Sequence, residues 1–333
     1  MAAEHPFAEY IRILGKGKSG SRSMTQDEAY QAMKMILAGE VEPVQLGAFL
    51  MLLRVKEETG AEIAGFVRAV QDSLSHPSEL PKVQLDWSSY AGKRRQLPWY
   101  VLSALLLASS GYPVFMHGIA ARDDGRIYTP DALASLGISS AGSLSEAAEQ
   151  IRATGFSFIT LEQLSPPLHH IIELRPVLGL RSPVHTLARM INPFHAATAI
   201  MGIFHPGYRD IHQEAAMLMN QPRMAVFKGE GGEVERNPDI SCKVQTVVQG
   251  MDSEEEWQPM FSGPRHLKDE VMDITRLGKL WRGEVEDEYG QAATVGTAAI
   301  ALKAMGEADT MEAAEALAQS LWNKRPVNWL RAA

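Results

Sequence analysis

The hydrophobic period of this chain changes once, near residue 80, and that change limits the folds open to it. Before it, apolar residues recur at helical spacing between helix start and stop signals. Thr25 with Glu28 forms a capping box, each side chain accepting from the other's backbone N–H, and Gly39 suits the position just past the helix end. A second helix is expected from Pro43, a first-turn proline, to Glu58. Thr59 with Glu62 caps a third, whose Ile63, Phe66, Val67 and Val70 share one face. Pro77 and Pro81 then mark a linker. Beyond it, short apolar runs (113–117, 157–160, 199–204, 224–228, 243–248) alternate with longer helical stretches (99–110, 145–154, 210–220, 290–305). Such alternation implies helices packed on a mainly parallel sheet. The expected fold class is α/β: a small N-terminal helical domain (1–76) joined to a larger α/β domain (82–333) with a mainly parallel central sheet. The acidic run Asp252–Glu256 reads as a solvated loop.

Composition narrows the function classes. With 45% hydrophobic and 22% charged residues, the 333-residue chain has an ordinary soluble globular balance. Its longest apolar helical run, 101–108, is far short of the roughly 20 residues of a membrane span. The N-terminal MAAEHPFAEY lacks a basic-then-apolar signal pattern, so a cytoplasmic protein is expected. One cysteine, Cys242, excludes an internal disulfide and a cysteine-rich zinc cage, and is expected to be buried. His117, His185, His195 and His205 show no tight ligand spacing, so no metal site is expected from them. His169 and His170 are expected to serve packing.

The net charge of −8 argues against nucleic acid, but the charge is segregated. Three windows contain no acid: Tyr10–Gln26 (Arg12, Lys16, Lys18, Arg22), Trp87–Arg122 (Lys93, Arg94, Arg95, Arg122) and Leu174–Arg209 (Arg175, Arg181, Arg189, Arg209). The 12 basic residues of these windows are set against 20 basic and 40 acidic residues elsewhere, so a basic groove on an acidic protein is electrostatically reasonable.

The segment WSSYAGKRRQLPWY, Trp87–Tyr100, combines three consecutive cations, Lys93, Arg94 and Arg95, with Trp87, Tyr90, Trp99 and Tyr100. Cations track backbone phosphates and aromatic faces stack bases. Trp99 and Tyr100 begin an apolar helix and are expected in the core. The cations have no acid nearby in sequence to serve as a structural partner. Ser88 and Ser89 suit either a helix cap or a phosphate. Lys16 and Lys18, set between glycines, lie in a connector able to close over a ligand.

GEVEPVQLGAFLMLLRVKEETGAEIAGFVRA (39–69) and LRPVLGLRSPVHTLARMINP (174–193) resemble the anthranilate phosphoribosyltransferase family of the nucleoside phosphorylase and phosphoribosyltransferase superfamily. The resemblance runs from about Phe7 to Trp329. It implies a cleft between the lobes, a segment 165–193 that crosses back to the helical domain, and a homodimer formed through the N-terminal helices. The family's catalytic signatures are altered here. Its GTGGD loop, whose glycines bring backbone N–H groups to a pyrophosphate, aligns with Asp86–Lys93, where Trp87 and Tyr90 add bulk and only Gly92 relaxes the backbone. Its KHGNR motif reads Met116-His117-Gly118-Ile119-Ala120. Its magnesium-binding Asp-Glu pair aligns with Val234 and Glu235, leaving Glu233 and Glu235 as vestigial metal residues. Arg175 matches the arginine that meets the aromatic substrate.

With GKGKSGSR (15–22) and PVHTLARMINPF (183–194), the altered segment resembles the second, YbiB-type branch of this family, which implies sequence-tolerant nucleic-acid binding. The first expectation is therefore a DNA- or RNA-binding homodimer with no membrane association, no cofactor, and magnesium only if residual transferase activity persists. Its expected nucleic-acid- or phosphate-binding residues are Lys16, Lys18, Arg22, Trp87, Ser88, Ser89, Tyr90, Gly92, Lys93, Arg94, Arg95, His117 and Arg175. The alternative is a phosphoribosyltransferase or phosphorylase acting on an aromatic base or nucleoside. A third reading is a regulatory binder of a small phosphorylated metabolite.

Overall fold

The computed structural model describes residues 3–120, 125–263, 266 and 268–330. Arg122, from the second acid-free window, lies outside the described residues. Four helices come first: α1 (Ala8–Gly15), α2 (Gln26–Leu37), α3 (Pro43–Lys56) and α4 (Gly60–Ser73). Both anticipated capping boxes form, at Thr25–Glu28 and Thr59–Glu62. α4 is the buried centre of this lobe. It meets α2 closely because Gly65 has no side chain: a Cβ there would lie 2.2 Å from the Gln26 carbonyl oxygen. The fully buried Glu62 also accepts from the Met24 N–H (2.9 Å) and pairs with Lys56 Nζ (2.7 Å), so the cap of α4 ties down the ends of its neighbours.

A seven-stranded sheet follows: β1 (Leu85–Ser89), β2 (Val114–Gly118), β3 (Phe156–Thr160), β4 (Thr198–Ile203), β5 (Arg223–Lys228), β6 (Cys242–Val248) and β7 (Met251–Trp257), ordered β3-β2-β1-β4-β5-β6-β7. The first five are parallel, and β6 and β7 add an antiparallel hairpin at one edge. Every residue of β1, β2 and β4 is buried; β2 and β4 read accordingly as largely apolar runs, whereas β1 (LDWSS) buries Asp86, Ser88 and Ser89 and lies in a stretch expected to be a loop. Alternate residues of β4 serve opposite layers: Ala199, Met201 and Ile203 join the core shared with the helical lobe, while Ile200 joins the core of the far face.

The near layer contains α7 (Leu144–Thr154), α8 (Leu161–Leu164), α9 (Pro166–Glu173), α10 (Arg175–Leu178), α11 (Val184–Leu187) and α12 (Tyr208–Leu218); the far layer contains α5 (Tyr100–Ser109), α6 (Thr129–Ser135), α13 (Thr275–Arg282), α14 (Glu288–Met305) and α15 (Met311–Asn323). α9 touches α2 and α11 touches α4, so the chain returns to the helical lobe before β4. No described helix is long and apolar enough to cross a membrane. Cys242 is buried.

One expectation about an element is corrected. Asp252–Glu256 lies in β7, paired residue by residue with β6, and is not a loop. As an edge strand with nearly all of its residues exposed, it carries no apolar alternation to signal a strand. Its carboxylates discourage pairing with another chain along that open edge.

Candidate functional site

Ligand sites in parallel sheets form beyond the carboxyl ends of the strands, and here the loops after β1, β4 and β5 converge. β1 carries Trp87, Ser88 and Ser89 into the core, where all three are at most 3% exposed. Ser89 Oγ meets the hydroxyls of Thr129 (2.6 Å) and Tyr100 (3.2 Å). Tyr90 is also buried: its hydroxyl donates to His117 Nδ1 (2.8 Å), and His117 Nε2 donates to Asp86 (3.1 Å). Burial holds the Tyr90 phenol well above its ordinary pKa, so it stays a neutral donor. Trp87, Ser88, Ser89, Tyr90 and His117 are therefore interior residues and offer no surface to a nucleic acid, contrary to expectation. Trp87, Ser88 and Ser89 belong to β1 and His117 to β2, with Tyr90 just past the end of β1, a placement that a local run of aromatic and basic residues conceals.

Lys93 is the larger correction. It is 1% exposed and forms a 2.5 Å ion pair with Glu235, which is itself fully buried. The other Glu235 oxygen accepts from the Tyr100 N–H (2.9 Å), placing a carboxylate at the N-terminus of α5. Burial nevertheless pushes the Glu235 carboxyl up to about 7, against the pull of Lys93. Glu233 Oε1 accepts from both the Ala91 and Gly92 N–H groups, each at 2.6 Å. Gly92 is needed there: its φ is +66°, and a Cβ would lie 2.8 Å from the Tyr128 ring. The backbone donors of the loop after β1 are thus filled by a carboxylate of the same chain.

A tight turn delivers the two carboxylates. A Cβ on Gly229 would lie 1.6 Å from the Glu233 carbonyl oxygen, and Gly231 and Gly232 both have positive φ. Octahedral magnesium needs free carboxylate oxygens at about 2.0–2.1 Å. Both oxygens of Glu235 and one of Glu233 are already engaged, so this pair does not fit that ion. Among the described residues no cluster of three His, Cys, Asp or Glu side chains is placed to hold a metal.

What remains open beside this loop is a basic cavity of about 440 Å³, lined by Lys93, Arg94, Arg95, Arg126, Arg181, Arg189 and Lys228. Its one acidic lining residue, Glu230, accepts from Asn237 (2.8 Å). Arg94 and Arg95 are exposed at this cavity, while Arg126 donates to the carbonyls of Ala91 (2.7 Å) and Gly92 (3.1 Å). Arg189 donates to the carbonyls of Gly202 (3.0 Å) and His185 and lies over the Tyr90 ring. Sequence reasoning missed Arg126 and Lys228 as site residues. Arg181 and Arg189 were visible only as members of the third acid-free window.

A second cavity, of about 130 Å³, shares Arg181, Arg189, Phe204 and His205 with the first and extends to Arg54, Glu58, Ser182, His185, Tyr208 and His212. The two cavities adjoin through these four residues, and arginines line both. Phe204 is 56% exposed there. Burial lowers His185 and His212 to about 4, keeping both imidazoles neutral near pH 7. Of the remaining expected residues, Lys16 and Lys18 are exposed on the helical lobe, and Arg22 is exposed but paired with Glu28 (2.6 Å). Arg175 is exposed on α10 and lines neither cavity.

Comparison with known proteins agrees with this architecture. Residues 8–74 match the helical bundle domain of the glycosyl transferase family, and residues 100–324 match its a/b domain. The chain belongs to the glycosyl transferase family. It is 31% identical to the uncharacterized protein YbiB of Escherichia coli (strain K12), over 72% of this chain and 76% of that one. It is 32% identical to an anthranilate phosphoribosyltransferase of Gluconobacter oxydans, over 59% of this chain and 54% of that protein. The crystal structure of anthranilate phosphoribosyltransferase (TrpD) from Thermus thermophilus superposes with a TM-score of 0.79 at 25% identity, covering 97% of this chain and 99% of that one. The fold expected from sequence is therefore correct, and so is the kinship with anthranilate phosphoribosyltransferases.

Proposed function

We propose that the interlobe cleft is a glycosyl transfer site for a phosphorylated or phosphate substrate and an aromatic base or nucleoside. The observation that carries this reading is the adjacency of two cavities that share Arg181, Arg189, Phe204 and His205. Arg94, Arg95, Arg126 and Lys228 offer charge-assisted donors to phosphate oxygens, and Phe204 with Tyr208 offers ring faces a few residues away. Family membership supports a transferase-like chemistry. The filled amides of Ala91 and Gly92 and the engaged Glu235 disfavour the pyrophosphate-and-metal version of it. Use of inorganic phosphate as co-substrate fits the site better, since one phosphate can be held by arginines alone.

The test is a turnover screen of the whole protein. Nucleosides with inorganic phosphate form one arm, and phosphoribosyl pyrophosphate, magnesium and aromatic bases form the other. Base release in the first arm is the expected result. Silence across both arms would remove the catalytic reading.

A second reading, sequence-tolerant nucleic-acid binding of the YbiB type, is favoured by the exposure of Arg94 and Arg95 and of Lys16 and Lys18. With Lys93 buried, two cations of the expected three are available. Affinity for a single strand should then fall with salt, and Arg94→Ala/Arg95→Ala should reduce the log–log slope by roughly 1 per residue. An unchanged slope excludes this surface. We also propose that the protein pairs through α3, where Val44, Ala48, Met51 and Val55 form one apolar stripe and Val44 and Val55 are 79% and 83% exposed.

A further inference from the structure

The loop after β1 meets counter-ions that all come from its own chain. Ala91 and Gly92 present two successive N–H groups, and with Gly92 at φ +66° they form the kind of concave backbone pair that holds anions. One oxygen of Glu233 takes both, at 2.6 Å each. Two positions further on, Glu235 is fully buried, and Lys93 Nζ meets it at 2.5 Å with only 1% of the lysine exposed.

Stability alone does not call for the second contact. A buried ion pair is often matched or bettered by apolar side chains of similar volume, because both charges lose their hydration. With a carboxylate kept at Glu235, however, a cation must stand against it. A divalent ion or an ammonium meets that need, and here the ammonium is in place. Lys93 lines the basic cavity whereas Glu235 does not, so the lysine stands between the carboxylate and the open space. The Tyr100 N–H takes the other Glu235 oxygen at 2.9 Å, which leaves no side of the carboxylate to a hydrated metal.

We infer that Lys93 replaces a divalent metal as the built-in counter-cation of Glu235, and that Glu233 replaces a bound anion in the Ala91–Gly92 nest. The loop therefore takes neither ion from solution, and anions that enter the basic cavity do so without a metal. Both readings of that cavity are compatible with this, because only the loop and the turn 229–235 are involved.

Calorimetric titration and thermal melting of the full chain test it, with manganese chloride, inorganic phosphate and inorganic pyrophosphate as probes. The parent should bind no manganese and keep its melting temperature when the metal is added. Lys93→Ala opens Glu235 to the cavity, and manganese should raise its melting temperature by about 3 °C or more, as a ligand bound only to the native state does. That response should vanish in Lys93→Ala/Glu235→Gln. If circular dichroism shows Lys93→Ala to be unfolded, recovery of its helical signal with manganese is the result expected instead. Manganese that stabilises the parent, or that leaves Lys93→Ala unmoved, overturns the role of Lys93. Glu233→Ala vacates the nest, with Glu233→Ser in its place if the alanine variant does not fold. Pyrophosphate should bind that variant at least about tenfold more tightly than it binds the parent, since two N–H groups become free to meet a charged oxygen. Equal binding overturns the role of Glu233. Failure of inorganic phosphate to bind the parent would instead remove the anion reading of the cavity and leave the loop assignment standing.

Discussion

At the scale of single residues, the pair Lys93–Glu235 decides what the loop after β1 can do. Two opposite charges, both essentially unexposed, bind each other across 142 positions of sequence and fix the loop to the start of α5. Removing one partner leaves the other buried without its counter-charge. Lys93→Met or Glu235→Leu should each cost about 3–5 kcal/mol in a urea melt, while the double variant should recover most of that loss. Additive losses in the double variant would show that the pair is not coupled. The same distance explains why Lys93 reads from sequence as a surface cation. A run of three basic residues shows charge, but not which member has a carboxylate waiting on another strand. Arg94 and Arg95 were legible because nothing distant engages their side chains in the interior.

His212 gives a signed pH effect. Its folded pKa of about 4 lies below the roughly 6.5 of an unfolded chain, so between those values unfolding takes up a proton that the native state refuses. Stability should fall as pH drops from 6.5 to 4, by on the order of 2–3 kcal/mol from this residue. Glu235, raised to about 7, acts oppositely: the folded state holds its proton longer, and that contribution fades as pH rises toward 7. Comparing His212→Gln with the parent isolates the histidine, and the variant's melting temperature should decline less over pH 6.5 to 4. Parallel profiles would rule this out.

At the scale of elements, legibility followed locality. α2 and α4 are announced by capping boxes that span four residues, and β2, β4 and β5 by apolar runs that need no partner to be recognised, whereas β1, with Asp86, Ser88 and Ser89 inside it, has no such run. β7 has neither signal, because its residues face solvent and its order comes from hydrogen bonds to β6. Its acids then act as a barrier to further strand addition. Glu254→Val together with Glu256→Val should leave the native fold in place but promote concentration-dependent aggregation, measured by light scattering. A variant that stays monodisperse at high concentration would show that other features protect the edge.

At the scale of the whole molecule, the fold class and the two-lobed plan were legible, whereas the cleft was not. Its lining comes from the loops after β1, β4 and β5, from the α3–α4 turn and from α11, and only the assembled sheet brings them together. The proposed dimer is tested at this scale. Val44→Lys with Val55→Lys should convert a dimeric elution and light-scattering mass to the monomer without loss of helical circular dichroism. A parent protein already monomeric would refute pairing through α3. The segregation of charge also governs how any anion arrives. The chain carries a net −8, yet arginines crowd the cleft while carboxylates line the β7 edge. With screening over about 8 Å at physiological ionic strength, an approaching anion would be repelled by the acidic β7 edge and attracted where it faces the arginines of the cleft. Orientation is thus selected during the encounter, before any hydrogen bond has formed.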